Sequence, residues 1–254
     1  MNKFIELALL VSLAAYASSP VPDAAKLVQE AQTRIHSASE RYEGTLDVFN
    51  AKKKIATRHW LYQRLGPYGN SKAIFRFTSP QEVKNVALLV ESHLSGSADL
   101  WIWIPSEERD RHVAVQNLST RFFGTDFSFE DLEDPVLDHF DYALLGEEEL
   151  GDGGCWKVES HPKKSSYSQY TSTIIWIRKD NYAISQIDHL REGKLVRRIT
   201  HSDIHLVDKI WTAHTIEAFD AKRNSRTVLK LSNVEYNVNL NERDFTRAAL
   251  PSAQ

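Results

Sequence analysis

Ile55-Ala56-Thr57-Arg58-His59-Trp60-Leu61-Tyr62-Gln63-Arg64, closed by Gly66-Pro67 and followed by Ala73-Ile74-Phe75-Arg76-Phe77-Thr78, is the stretch that sets the fold class. Side chains alternate across a strand, so Trp60 and Tyr62 share one face, and Phe75 and Phe77 point away from Ile74 and Arg76. The same period of two continues outward. Upstream, residues 42–49 read as a strand ending in a turn near Asn50-Ala51. Downstream, residues 86–92 and 99–104 flank a Gly96-Ser97 turn, and residues 112–115 form a short strand. Residues 155–160, 173–178, 182–190, 195–205, 210–219 and 227–236 repeat the pattern, with turns at Lys179-Asp180-Asn181, Glu192-Gly193 and Arg223-Asn224-Ser225. About a dozen strands joined by short turns predict an antiparallel meander and exclude βαβ units. From residue 117 to 149 the alternation fails, and an irregular segment is expected there.

The N-terminus sets the compartment. Lys3 is followed by an apolar run to Ala17, interrupted only by Glu6 and Ser12, and Ala15-Tyr16-Ala17 fits a small-residue cleavage site. Residues 1–17 are therefore expected to be a cleaved signal peptide; the run is shorter than the roughly 20 residues needed to cross a bilayer. Pro20 and Pro22 separate this run from residues 23–39, where Ala24, Leu27, Val28, Ala31 and Ile35 recur at helical spacing. Residues 18–254 are expected to form one domain with an N-terminal helix, soluble in the periplasm. The single cysteine, Cys155, permits no intramolecular disulfide and no cysteine metal cluster, and it lies far from any lipidation position.

The net charge of −3 is evenly spread, and Lys52-Lys53-Lys54 is the only basic run, placed where a solvated turn belongs. Nucleic-acid binding along a backbone-tracking patch is excluded on that ground. A sheet of this many strands accumulates twist and curls. Trp60, Tyr62, Phe75, Phe77, Trp101 and Trp103 are too bulky to fill a small closed barrel, which has room only for its own side chains. A half-open barrel with an apolar cavity is expected instead, these six residues being the candidate ligand-binding wall. The irregular segment, residues 117–141, is a candidate lid carrying Phe122, Phe123 and Phe127.

Catalytic patterns are lacking: there is no His-Glu-x-x-His, no Gly-x-Ser-x-Gly and no phosphate-cradling glycine loop. His201 and His205 are four apart in a strand pattern, too distant for one metal, and Cys155 has no evident activating base. Neither an enzyme nor a cofactor or metal site is expected. Asp126, Glu130, Asp131, Glu133 and Asp134 do not follow calcium-loop spacing. The reading preferred for them is that Asp126 or Ser128 caps a short helix beginning near Glu130.

Several stretches resemble the outer membrane lipoprotein-sorting family related to LolA and LolB. They are Phe77-Thr78-Ser79-Pro80, then Leu100-Trp101-Ile102-Trp103-Ile104-Pro105-Ser106 with Arg109 and Arg111, then Phe123-Gly124-Thr125-Asp126-Phe127-Ser128-Phe129-Glu130-Asp131-Leu132. Cys155-Trp156-Lys157-Val158-Glu159 before Pro162, Trp176-Ile177 and Gly193-Lys194-Leu195-Val196 continue the likeness in order, over most of the chain from about Tyr42 to Phe245. The resemblance implies a mainly β protein: an incomplete antiparallel barrel of about eleven strands wrapped over helices, with a cavity for acyl chains. It implies a monomeric periplasmic carrier whose partners are a lipid or acylated lipoprotein and an inner-membrane transporter. The competing expectation is an accessory module that docks on such an exporter and carries nothing.

Overall fold

The computed structural model describes residues 22–252 apart from 36, 68, 135, 152 and 165; the expected signal peptide lies outside the described residues. One helix, α1 (Ala24–Arg34), precedes thirteen strands. These are β1 (Ser39–Asn50), β2 (Lys53–Leu65), β3 (Lys72–Ser79), β4 (Ala87–Glu91), β5 (Asp99–Ile104), β6 (Arg109–His112), β7 (Phe140–Leu150), β8 (Gly153–Pro162), β9 (Ser172–Arg178), β10 (Ile184–Arg191), β11 (Lys194–Val207), β12 (Ile210–Asp220) and β13 (Ser225–Tyr236). All pair antiparallel in one sheet of order β6-β5-β4-β3-β2-β1-β13-β12-β11-β10-β9-β8-β7. The sheet is not closed, as an incomplete barrel requires, and it has thirteen strands where about eleven were expected.

The strand order carries a consequence for the site. Six strands meander outward from β1, seven meander back to pair β13 with β1, and β6 and β7 are the two free edges. The chain must therefore cross from one edge to the other between them. Residues 113–139 make that crossing over one face, here called the inner face. This segment has single 3-10 turns at Val115–Asn117, Phe122–Gly124, Glu130–Leu132 and Leu137–His139. The irregular stretch ends earlier than residue 149, because residues 140–150 form edge strand β7. A bulge between Leu144 and Gly146 shifts its phase, and Glu147, Glu148 and Glu149 hide its alternation.

Two faces bury different side chains. On the inner face Leu46, Trp60, Phe75, Phe77, Leu88, Leu100, Ile199 and Leu229 pack with Leu118, Phe122, Phe127 and Phe129 of the crossing segment. On the outer face Ile74, Ala87 and Leu89 pack with Phe245 and Leu250 from a strap of residues 240–250, and Trp101 and Trp103 lie against them. Arg76, in phase with Ile74, reaches the strap by donating from Nη1 to the Leu250 carbonyl at 2.9 Å. Each fully buried leucine adds roughly 1.5–3 kcal/mol over its exposed state.

Helix α1 lays Ala24, Leu27, Val28 and Ala31 on Val158 and Ile177. Asp23 caps it, accepting from the Lys26 amide at 3.1 Å. It ends at Arg34 rather than running to Ser39: Ile35, the last apolar position of the spacing, is 40% exposed, and Ser39 already belongs to β1.

Candidate functional site

A cavity of about 450 Å³ opens on the inner face. Its walls are α1 (Val28, Gln32), the turn after β4 (His93, Gly96–Ala98), the crossing segment from Glu130 to Phe140, and strands β7–β11 with the loop that carries Tyr167 and Tyr170. Ile175, Ile187 and Ile199 supply an apolar floor, and the volume falls within the usual range for small-ligand sites, about 300–1,000 Å³.

The crossing segment is fixed above this floor by two buried polar clusters. In the first, the wholly buried Asp126 accepts from Arg121 Nη2 at 2.5 Å, Ser225 Oγ at 2.6 Å and Thr227 Oγ1 at 2.9 Å. Its own amide donates to Thr227 Oγ1 at 2.8 Å. In the second, Asp131 pairs with Arg197, and both side chains are almost fully buried. Asp131 Oδ2 also accepts from the Ser128 amide at 2.6 Å and Ser128 Oγ at 2.9 Å, and its Oδ1 accepts from the Tyr170 hydroxyl at 3.1 Å. The Tyr170 ring stacks on His189 with centroids 4.1 Å apart. Burial lowers the His189 pKa to about 4, with Asp131 opposing the shift, so its 3.9 Å approach to Asp131 is not an ion pair at neutral pH.

These contacts replace the capping expected of the acidic stretch. The 3-10 turn Glu130–Leu132 begins at Phe129 with no side-chain cap, and Asp126 and Ser128 are taken up by the clusters instead. Arg197 on β11 and Arg121 within the crossing segment need a buried acid more than a helix end does. Among the described residues no group of three or more His, Cys, Asp or Glu could hold a metal ion. Burial also pushes the Cys155 thiol pKa up.

The remaining acids of the segment face less compensation. Glu130 accepts from Ser168 Oγ at 2.5 Å and the Gln169 amide at 3.2 Å, and Asp134 from Ser71 Oγ at 3.2 Å. Burial raises both carboxyls. Glu133 is pushed up to about 8, by burial first and by Glu130 second, and its Oε1 is enclosed without a hydrogen-bond partner.

Of the sequence-derived candidates, Trp60, Tyr62, Phe75 and Phe77 come together beside Phe122, Phe123 and Phe127. Their rings interlock: Trp60 meets Phe75 edge-on at 5.1 Å, Phe77 stacks on Phe122 at 5.5 Å, and Phe123 meets Phe122 edge-on at 5.0 Å. They form a packed block beyond the cavity, and none of them is among its lining residues. Trp101 and Trp103 lie on the other side of the sheet, where the Arg247 guanidinium sits 3.6 Å over the Trp101 ring. The cavity residues that sequence reasoning passed over are Tyr142, Tyr167, Tyr170 and His189, while Glu130 and Glu133 were read only as part of a capped acidic turn. Arg197 gave a usable signal, since it shares strand phase with Ile199 and an arginine in an apolar phase calls for a buried acid.

Among known proteins, a family model described as "Uncharacterized protein" matches residues 69–252. No curated protein matches the chain. The fold is similar to an outer membrane lipoprotein-sorting protein domain from Vibrio parahaemolyticus at TM-score 0.83 and 25% identity, covering 90% of this chain and 98% of that one. It is equally similar to a DUF1329 family protein from Desulfovibrio piger, at TM-score 0.83 and 26% identity over 89% and 97% of the two chains. A LolA superfamily protein from Nitrosomonas europaea shares the fold alone, at TM-score 0.70 and 18% identity over 89% and 98%. The chain therefore belongs to the family of that model, and its fold is the one shared by these outer membrane lipoprotein-sorting, DUF1329 and LolA superfamily proteins.

Proposed function

We propose that this protein is a periplasmic carrier that binds a lipid, or the acyl chains of a lipoprotein, and moves it toward the outer membrane. The observation that supports this most is the 450 Å³ cavity between the sheet and the crossing segment. Its isoleucine floor suits a chain of methylenes, each worth roughly 0.8 kcal/mol when buried. A cavity of limited size keeps that gain small enough for the ligand to leave. In this reading the crossing segment is the lid. A ligand longer than the cavity reaches Trp60, Tyr62, Phe75 and Phe77 only by displacing Phe122, Phe123 and Phe127. No covalent chemistry is proposed, and the donor is an inner-membrane transporter that a monomer visits.

Native mass spectrometry with lipid extraction, on protein taken from the periplasm of its own host, tests this. A stoichiometric lipid or acylated peptide is expected, and it should be lost in Ile187→Lys, which places a charge on the cavity floor. A clean unliganded mass, with no uptake of added phospholipid or lipopeptide, overturns the carrier reading and leaves the exporter-docking module in its place.

A further inference from the structure

The cavity's lining is chemically one-sided. Glu130, Asp131, Glu133 and Asp134 all contribute to its wall, and no lysine or arginine does among the described lining residues. Three of these acids have protein partners: Arg197 for Asp131, Ser168 and Gln169 for Glu130, and Ser71 for Asp134. Glu133 keeps an enclosed oxygen that nothing satisfies. The imidazole of His189 stays neutral and adds no positive charge. Phe140, Tyr142, Tyr167 and Tyr170 line the same space. Aromatic faces attract cations by roughly 0.5–2 kcal/mol each, more when desolvated. Glu130 and Glu133 without a countercharge, aromatic rings and an isoleucine floor together describe a ligand with an apolar chain and a cationic head.

We propose that the cavity selects amphiphiles with an ammonium head over those with a carboxylate or other anionic head. This rests on the carrier reading and names the ligand class it would take. A cation entering beside Glu130 and Glu133 favours their ionised forms, which burial otherwise disfavours, whereas a bound carboxylate finds no countercharge in a low-dielectric site.

Four probes separate head from chain: dodecyltrimethylammonium, dodecyl maltoside and dodecanoate below their micelle concentrations, and choline without a chain. Affinities are read by titration calorimetry on the full mature protein. Dodecyltrimethylammonium is expected to bind about tenfold tighter than dodecyl maltoside, which is about 1.4 kcal/mol, and dodecanoate to bind most weakly. In Glu133→Gln, and separately in Glu130→Gln, the ammonium advantage should shrink to about threefold or less while dodecyl maltoside binding persists. Equal binding of the three chains, or tightest binding of dodecanoate, overturns the head selectivity and leaves the carrier reading standing. Choline binding without any chain-bearing probe removes the carrier and keeps the cation site. If no probe binds, both readings fall.

Discussion

Gly44 shows how much one residue can decide. It pairs across the β1–β2 ladder with Trp60, whose indole lies flat over it, and a Cβ at Gly44 would collide with Trp60 Nε1 and Cδ1. The glycine is there because the ring needs its place, not because the backbone needs freedom. Trp60 is 2% exposed and wedged against Phe75, Phe77 and Phe122, so it has nowhere to retreat. Gly44→Ala should destabilise by about 1–3 kcal/mol, the usual cost of overpacking a filled core. Urea unfolding checks this, and a change below a few tenths of a kcal/mol would mean the ring can move aside. A lone glycine inside an alternating run marks close approach of another group, so the exception was visible in the sequence. Its partner was not, because that depends on the register between two strands.

At the scale of elements the same limit recurs. Alternation within β2, β3 and β5 placed Trp60 with Tyr62, Phe75 with Phe77, and Trp101 with Trp103. The phase between strands, however, is set by pairing: Trp101 lies opposite Leu89, and Leu89 opposite Ile74, so both tryptophans face the outer strap. A one-residue shift reverses a strand's faces, and no local pattern reports that shift. The crossing segment was legible as irregular, but its anchors were not, because Asp131 and Arg197 lie 66 residues apart. Those anchors give a prediction. Arg197→Met leaves the Asp131 carboxylate buried and uncompensated and should cost about 3–5 kcal/mol, much of it recovered in Arg197→Met with Asp131→Asn. Hydrogen exchange should show amides 117–134 opening more readily than those of β1 and β2 in the single variant. If the single variant loses less than about 1 kcal/mol, the ion pair does not hold the segment down.

For the whole molecule, buried titrating groups of opposite sense set how stability varies with pH. Burial lowers His189 and His201 from 6.5 to about 4, while Glu133, buried beside Glu130, is raised from 4.5 to about 8. Between about pH 4.5 and 6.5 the unfolded chain binds protons at two histidines that the native protein keeps neutral, so stability falls as the pH drops. In the same window the native protein holds one proton on Glu133 that the unfolded chain has lost, which acts the other way. The two histidines therefore offset Glu133 in this window, each titrating site contributing about 1 kcal/mol per unit. Above about 6.5 the histidines are neutral in both states and only the acid remains. The native protein holds the Glu133 proton up to about pH 8 while the unfolded chain has lost it, and stability falls by a similar slope. Glu130 and Asp134 are raised as well and pull in the same sense as Glu133. Urea midpoints of the unliganded protein should therefore fall more steeply from pH 6.5 to 7.5 than they change between 5.5 and 6.5. Glu133→Gln should make the fall above pH 6.5 shallower. An alkaline side that is already flat in the unaltered protein would mean Glu133 is ionised at neutral pH, and the cavity would then carry its negative charge even when empty.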